Sequence, residues 1–204
     1  MLNSPAAYLE VNQTSHLMAI CTDCSVTVWN IQQQTLEITC SVASLLLGTI
    51  TIESAQVSET GQCIVSMSSG ESFTYHSSMK TWVRIADKSF TTSLFNSIVE
   101  ANRISPRGLL SRLQVAAQKK VRMLPTEMLH LDSRDQSAET LAHLENMMAS
   151  AIALSSVGEF KEWLKAYVRK LSEDGNTLRL EELCHDLRGP IHKYVPMNYW
   201  EFSY

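Results

Sequence analysis

Glycine is scarce in this sequence, with seven in 204 residues, and no GxSxG elbow, GxxxxGK[ST] loop, GxGxxG turn or HExxH pair occurs. These absences remove the usual backbone geometry for an exposed serine nucleophile, a phosphate cradle, a dinucleotide site and a helix-borne zinc pair. Charge is also low, at 19% of residues with a net of −4, so no global field draws the chain to nucleic acid or an anionic membrane. The longest apolar runs, such as Val42 to Leu47, fall far short of the roughly 20 residues a bilayer span needs. Met1-Leu2-Asn3-Ser4-Pro5 has neither the basic stretch nor the long apolar stretch of a secretory signal. A soluble intracellular protein is expected, without a membrane partner, cofactor or small-molecule substrate.

Cysteine is present in an odd number, at Cys21, Cys24, Cys40, Cys63 and Cys184, and a chain of this length buries roughly 70% of its unfolded surface without staples. Reduced thiols are expected. Cys21-Thr22-Asp23-Cys24 is a CxxC, but a structural zinc site needs a second pair, and neither Cys40 nor Cys63 has a matching neighbour. Its plainer reading is two strand residues flanking a turn. The six histidines are dispersed; Glu139 and His143 share a helix face, as a surface hydrogen bond more readily than as half of a metal site. His185 and Asp186 are adjacent on a helix and diverge, a poor acid-base dyad. No catalytic and no metal-binding residue is assigned.

What is present divides into two periods. Over residues 6–87 the pattern is strand-like: Leu17 to Cys21, a Thr22-Asp23 turn, then Val26-Thr27-Val28-Trp29. Cys63 to Met67, Ser69-Gly70 and Ser72 to Tyr75 repeat that plan 46 residues later, the spacing of a WD-type propeller blade. Two blades cannot close a ring, so this half must cover its sheets with helices or another subunit. Gly61 and Asp87-Lys88 mark further turns.

From about residue 90 the period becomes helical. A weak helix is predicted over Phe90–Asn102, and Ser105-Pro106 opens another carrying Leu109, Leu110, Leu113, Ala116 and Ala117, ended by Pro125. After a polar connector at Asp132–Gln136, Ala138, Leu141, Leu144, Met148, Ala151 and Ile152 form one face of a long helix. Ser156 and Glu159 have capping-box spacing ahead of Phe160, Trp163, Leu164, Tyr167, Val168 and Leu171. Gly175 ends that helix, and Leu180, Leu183, Cys184 and Leu187 define the next before Gly189-Pro190. Short connections make the last three helices antiparallel neighbours. The expected class is α+β: residues 1–88 a blade-like β half, 89–135 a connector with a basic helix, and 136–204 a helical half.

Six of the seventeen basic residues, Arg103, Arg107, Arg112, Lys119, Lys120 and Arg122, lie between Ala101 and Thr126 with no acid among them. Such a segment can contact phosphate or an acidic tail, yet without interleaved aromatics a solvated helix face is the stronger reading. Trp163 belongs to a core stripe. Trp29 ends a strand where the sheet half cannot enclose itself, so it is either core or an interface anchor.

From Leu144-Glu145-Asn146 through Ala153-Leu154, Glu159-Phe160, Trp163-Leu164, Tyr167, Arg169 and Leu171 to Arg179-Leu180, Glu182-Leu183-Cys184, Asp186-Leu187, Gly189-Pro190 and His192, the chain resembles the C-terminal domain of HIRA/Hir histone chaperone proteins. Ser25 to Asn30 and Ser78 to Asp87 resemble that domain's strand half in the same order.

The resemblance implies a non-enzymatic scaffold of a nuclear complex that deposits a replication-independent variant of histone H3 with H4, in nucleosome assembly and transcription regulation, including repression. It implies self-association, as a homotrimer in animals, and docking of a helical-repeat partner of the calcineurin-binding (cabin) type. The family's Trp-Asp pair, implicated in self-association, is Trp29-Asn30 here, with one charge fewer. Arg169, Glu173 and Arg188, on the polar flanks of the last helices, are the candidate partner contacts. The family's N-terminal WD-repeat propeller and its middle segment, which binds the anti-silencing histone chaperone, have no counterpart in this sequence. The family continues with more helix after Trp200-Glu201; a fragment, a splice form and an incomplete gene model all fit that difference.

Overall fold

The computed structural model describes residues 4–95, 108–119 and 133–188. Eight strands come first: β1 Ala6–Val11, β2 His16–Cys21, β3 Ser25–Asn30, β4 Thr35–Ser41, β5 Ile52–Val57, β6 Cys63–Met67, β7 Ser72–His76 and β8 Thr81–Ala86. Four helices follow: α1 Leu109–Lys119, α2 Ser133–Ala153, α3 Val157–Glu173 and α4 Thr177–Arg188. The class is α+β, as the periods required. The strands form two antiparallel four-stranded meanders, β1-β2-β3-β4 and β5-β6-β7-β8, with β5 starting 46 residues after β1.

Tight turns set the meanders. Ser15, Cys24, Gln34 and Lys80 hold positive φ in hairpin connections, the left-handed geometry that reverses a twisted ribbon in few residues. Cys21 and Cys24 flank such a turn, closed by the Cys24 N–H to the Cys21 carbonyl at 3.0 Å, while Asp23 accepts from the Ser25 N–H and hydroxyl at 3.0 and 2.6 Å. All five cysteines are free.

The two sheets solve the missing-blade problem partly between themselves. Met18, Ile20, Val26, Val28 and Ile38 of the first sheet share one core with Val57, Cys63, Val65 and Met67 of the second. Polar clasps join them: the Tyr8 hydroxyl donates to the Ile52 carbonyl at 2.8 Å, and the Trp82 indole N–H to the Ser41 carbonyl at 2.8 Å. Helices α1 and α2 pack on β8, and the Gln114 amide donates to the Asp87 carbonyl at 2.7 Å.

The predicted helix over Phe90–Asn102 is not formed in its described part: residues 90–95 are turns and irregular chain. Thr92 and Ser93 there use their polar groups on α2, where the Thr92 N–H donates to Glu139 at 3.0 Å and Ser93 Oγ lies 2.8 Å from His143 Nδ1. The remainder of that predicted helix, and the Ser105-Pro106, Pro125 and Gly189-Pro190 boundaries, lie outside the described residues. α2 begins at Ser133, inside the stretch read as a polar connector, and its buried face is rotated from the apolar one. Thr140, His143, Leu144, Met147, Ser150 and Ala151 are buried, whereas Ile152 is 65% exposed and Met148 only half-buried.

The chain forms two compact units, residues 1–167 and 168–204. In the second, the end of α3 is closed by Gly175 at φ +66, with the Asn176 N–H reaching the Leu171 carbonyl at 2.9 Å. That is the left-handed helix stop for which glycine is suited. No residue of α4 is buried.

Candidate interaction site

On the first sheet the register brings four apolar side chains into one row. Val11 pairs with Leu17, Leu17 with Trp29, and Trp29 with Leu36. Alternation puts this row on the face opposite Met18, Val28 and Ile38. A bulge makes the row continuous, because Val28 pairs with Ile38 but Trp29 with Leu36, skipping Glu37. Leu17 and Trp29 are half-buried, while Val11 and Leu36 are 54% and 56% exposed and the neighbouring Leu9 is 63% exposed. Apolar side chains in contiguous exposed array mark interaction surfaces more often than scattered ones.

Asn30 is placed differently from Trp29, buried on the core side. Its amide Nδ2 donates to Glu37 at 3.2 Å, its Oδ1 accepts from the Gln33 N–H at 3.0 Å, and Glu37 lies 3.4 Å from His16 Nε2. Asn30 thus fixes the β3–β4 turn and positions the bulge that presents Leu36. A Cβ on Gly61 would lie 2.8 Å from His16 and 2.9 Å from Glu37, at φ +82, so glycine is required where the turn approaches this network. The network reaches the second sheet: Asn12 Nδ2 donates to the Ser58 carbonyl at 2.5 Å, and Thr14 Oγ1 to the Glu59 carbonyl at 2.7 Å.

The basic segment contributes α1. Arg112 and Lys119 are exposed on it; Arg103, Arg107, Lys120 and Arg122 lie outside the described residues. Leu110, Leu113 and Ala117 form its buried face. Its N-terminus is capped from another helix: Glu159 accepts the Leu109 N–H at 2.8 Å and the Leu110 N–H at 3.0 Å. The glutamate read as the capping-box partner of Ser156 therefore serves α1, where a carboxylate satisfies orphan donors and meets the positive end of the dipole. Replacing Glu159 by Ala is expected to cost about 1–2 kcal/mol and to speed amide hydrogen exchange in the first turn of α1. Unchanged exchange there would show that the cap does not hold the helix.

Arg169, Glu173 and Arg188 are exposed in the second unit. Beside them Lys170 pairs with Asp174 at 2.6 Å and Arg179 with Glu182 at 2.9 Å. Among the described residues no three His, Cys, Asp or Glu side chains are grouped to hold a metal, and no helix is long and apolar enough to cross a membrane.

A family model described as Hira, TUP1-like enhancer of split, matches residues 1–187. The chain belongs to the Hira family. Protein HIRA of Zea mays is 30% identical over 200 residues, which are 93% of this chain and 20% of the relative. Protein HIRA of Gallus gallus is also 30% identical, over 98% of this chain and 20% of the relative, and that of Homo sapiens 28% identical with the same coverage. The chain thus spans about one fifth of the length of these relatives. The crystal structure of HIRA(644-1017) superposes with a TM-score of 0.72 at 27% identity, over 95% of this chain and 60% of that one. The Hira-type α+β fold is accordingly that of this chain.

Proposed function

We propose that this Hira-family chain is a non-catalytic scaffold of a replication-independent histone chaperone complex, acting in the nucleus in chromatin assembly and transcription regulation. In this reading it self-associates, as a trimer, through the outer face of the first sheet, and docks a cabin-type helical-repeat partner, with Arg169, Glu173 and Arg188 as contacts; histones are met through the complex. The observation that carries it is the Val11-Leu17-Trp29-Leu36 row. The second sheet has its partners in the first sheet and in helices α1 and α2, whereas this row is exposed at Val11 and Leu36 and half-buried at Leu17 and Trp29. Trp29 is its largest member, and rigid aromatics carry a large share of interface energy.

Trp29→Ala is expected to shift the chain from oligomer to monomer at micromolar concentration, with circular dichroism unchanged because the ring is only half-buried. Light scattering that finds the wild-type chain monomeric at high concentration would sink the reading. The alternative, nucleic-acid or histone-tail contact through 103–122, draws less support. Its described members Arg112 and Lys119 line a groove together with Glu59 and Glu162, so any DNA binding is expected to be weak and to fall steeply with salt.

A further inference from the structure

We propose that Cys40 and Cys63 form a redox pair, free as thiols and closed by a hydroperoxide into a disulfide that joins the two sheets. Their facing positions follow from the strands. Cys40 comes two residues after the buried Ile38 on β4, so alternation turns it to the same inner face, and Cys63 shares the inner face of β6 with Val65 and Met67. Both border the core that the sheets share, Cys63 fully buried within it and Cys40 half-buried against it. β4 is the last strand of the first sheet, and just beyond Cys40 its Ser41 carbonyl accepts the Trp82 indole N–H of the second sheet.

The two thiols are in hydrogen-bond contact between the sheets, Cys40 donating to the Cys63 sulfur, which the Tyr75 N–H also reaches. These donors hold the Cys63 thiol below the usual range despite its burial, while the same bond, with desolvation, holds Cys40 above it. Cys40 is the sulfur a small peroxide can reach, and its raised pKa makes that first step slow, so the pair answers a sustained oxidant. Attack of the Cys40 sulfur on hydrogen peroxide forms an S–O bond and breaks the O–O bond; the thiol proton leaves with the second oxygen as water. Cys63, lowered and already against Cys40, is suited to resolve the sulfenic acid. Its sulfur forms the S–S bond, the S–O bond breaks, and the hydroxyl departs with the Cys63 proton as a second water. Two sulfurs are oxidised and one peroxide is reduced. The bridge fastens β4 to the second sheet and restricts the unfolded chain, which raises stability. It uses no residue of the Trp29 row, so the proposal does not rest on self-association.

The test is peptide mapping of the full chain, treated in the folded state with hydrogen peroxide, then blocked with iodoacetamide in urea and digested without reductant. Cys184, exposed on α4, gauges the dose, and treatment continues long past its complete oxidation. A peptide linking Cys40 to Cys63 is expected, together with an upward shift of the urea midpoint. Both should be reversed by dithiothreitol and absent from Cys40→Ala. The mapping reads the bond directly in the unaltered chain, so it stands even where that substitution disturbs folding. Cys40 and Cys63 still open to alkylation at that dose, Cys40 carried on to sulfinic acid without a link, a link to Cys24 instead, or a Cys40–Cys63 link formed only in urea would each overturn the proposal.

Discussion

Replacing Trp163 by Ala is expected to destabilise the first unit by about 3–5 kcal/mol, the usual range for deleting a buried large aromatic. Trp163 is 1% exposed, and its ring meets Phe95 edge-on with centroids 5.9 Å apart, a contact worth about 1 kcal/mol beyond burial. One turn on, Tyr167 is equally buried and donates its hydroxyl to Glu145 at 2.5 Å, tying α3 to α2. Against a domain stability of about 5–15 kcal/mol, the loss takes from about a fifth of the margin to all of it. The Trp163 indole N–H has no hydrogen-bond partner among the described residues, so Trp163→Phe removes an unsatisfied donor along with part of the ring system. Its cost is expected to stay below about 2 kcal/mol. Urea midpoints of the two variants decide the matter: a Trp163→Ala chain that melts with the wild type would show that this stripe is not core.

That stripe was legible because its residues are apolar and fall at helical spacing, and the hairpins were legible because period-two alternation and the 46-residue repeat agree. The buried face of α2 was not, since three of its members are polar. Thr140 is satisfied by the Gln136 carbonyl at 2.7 Å and the Leu94 N–H at 3.2 Å, and His143 meets Ser93 at Nδ1. Partners some 46–50 residues away give no signal in a helical period. The same holds for Glu159, whose local capping pattern is overridden by α1. In the candidate site, Trp29 could be singled out as an aromatic at a strand end. Val11 and Leu36 could not, because their adjacency to Trp29 depends on the register of three strand pairs and on the bulge at Glu37. Asn30 follows Trp29 in sequence but faces the other way, into the His16-Glu37 network.

Acidification is expected to destabilise the first unit through His143. The imidazole is fully buried, stacks on Phe90 at 5.0 Å, and has no described partner at Nε2. Burial therefore lowers its pKa from 6.5 to about 4, against the opposing pull of Asp87 and Glu139. Above pH 6.5 the ring is neutral in folded and unfolded chains alike, and pH is without effect through this group. Below 6.5 the unfolded chain takes up a proton that the folded chain refuses, so stability falls as pH drops toward 4 and levels off beneath it. The full decline amounts to about 3 kcal/mol. The carboxylates titrate in part of the same range, so the measurement is a difference: urea midpoints of wild type and His143→Gln between pH 7 and pH 4.5. His143→Gln is expected to be the less stable chain at pH 7, by about 1–2 kcal/mol for the lost stacking and packing, and the less sensitive chain on acidification. Its stability curve should approach or cross the wild-type curve near pH 5. Parallel curves over that interval would show that His143 is protonated within the fold, and that Asp87 and Glu139 compensate its burial.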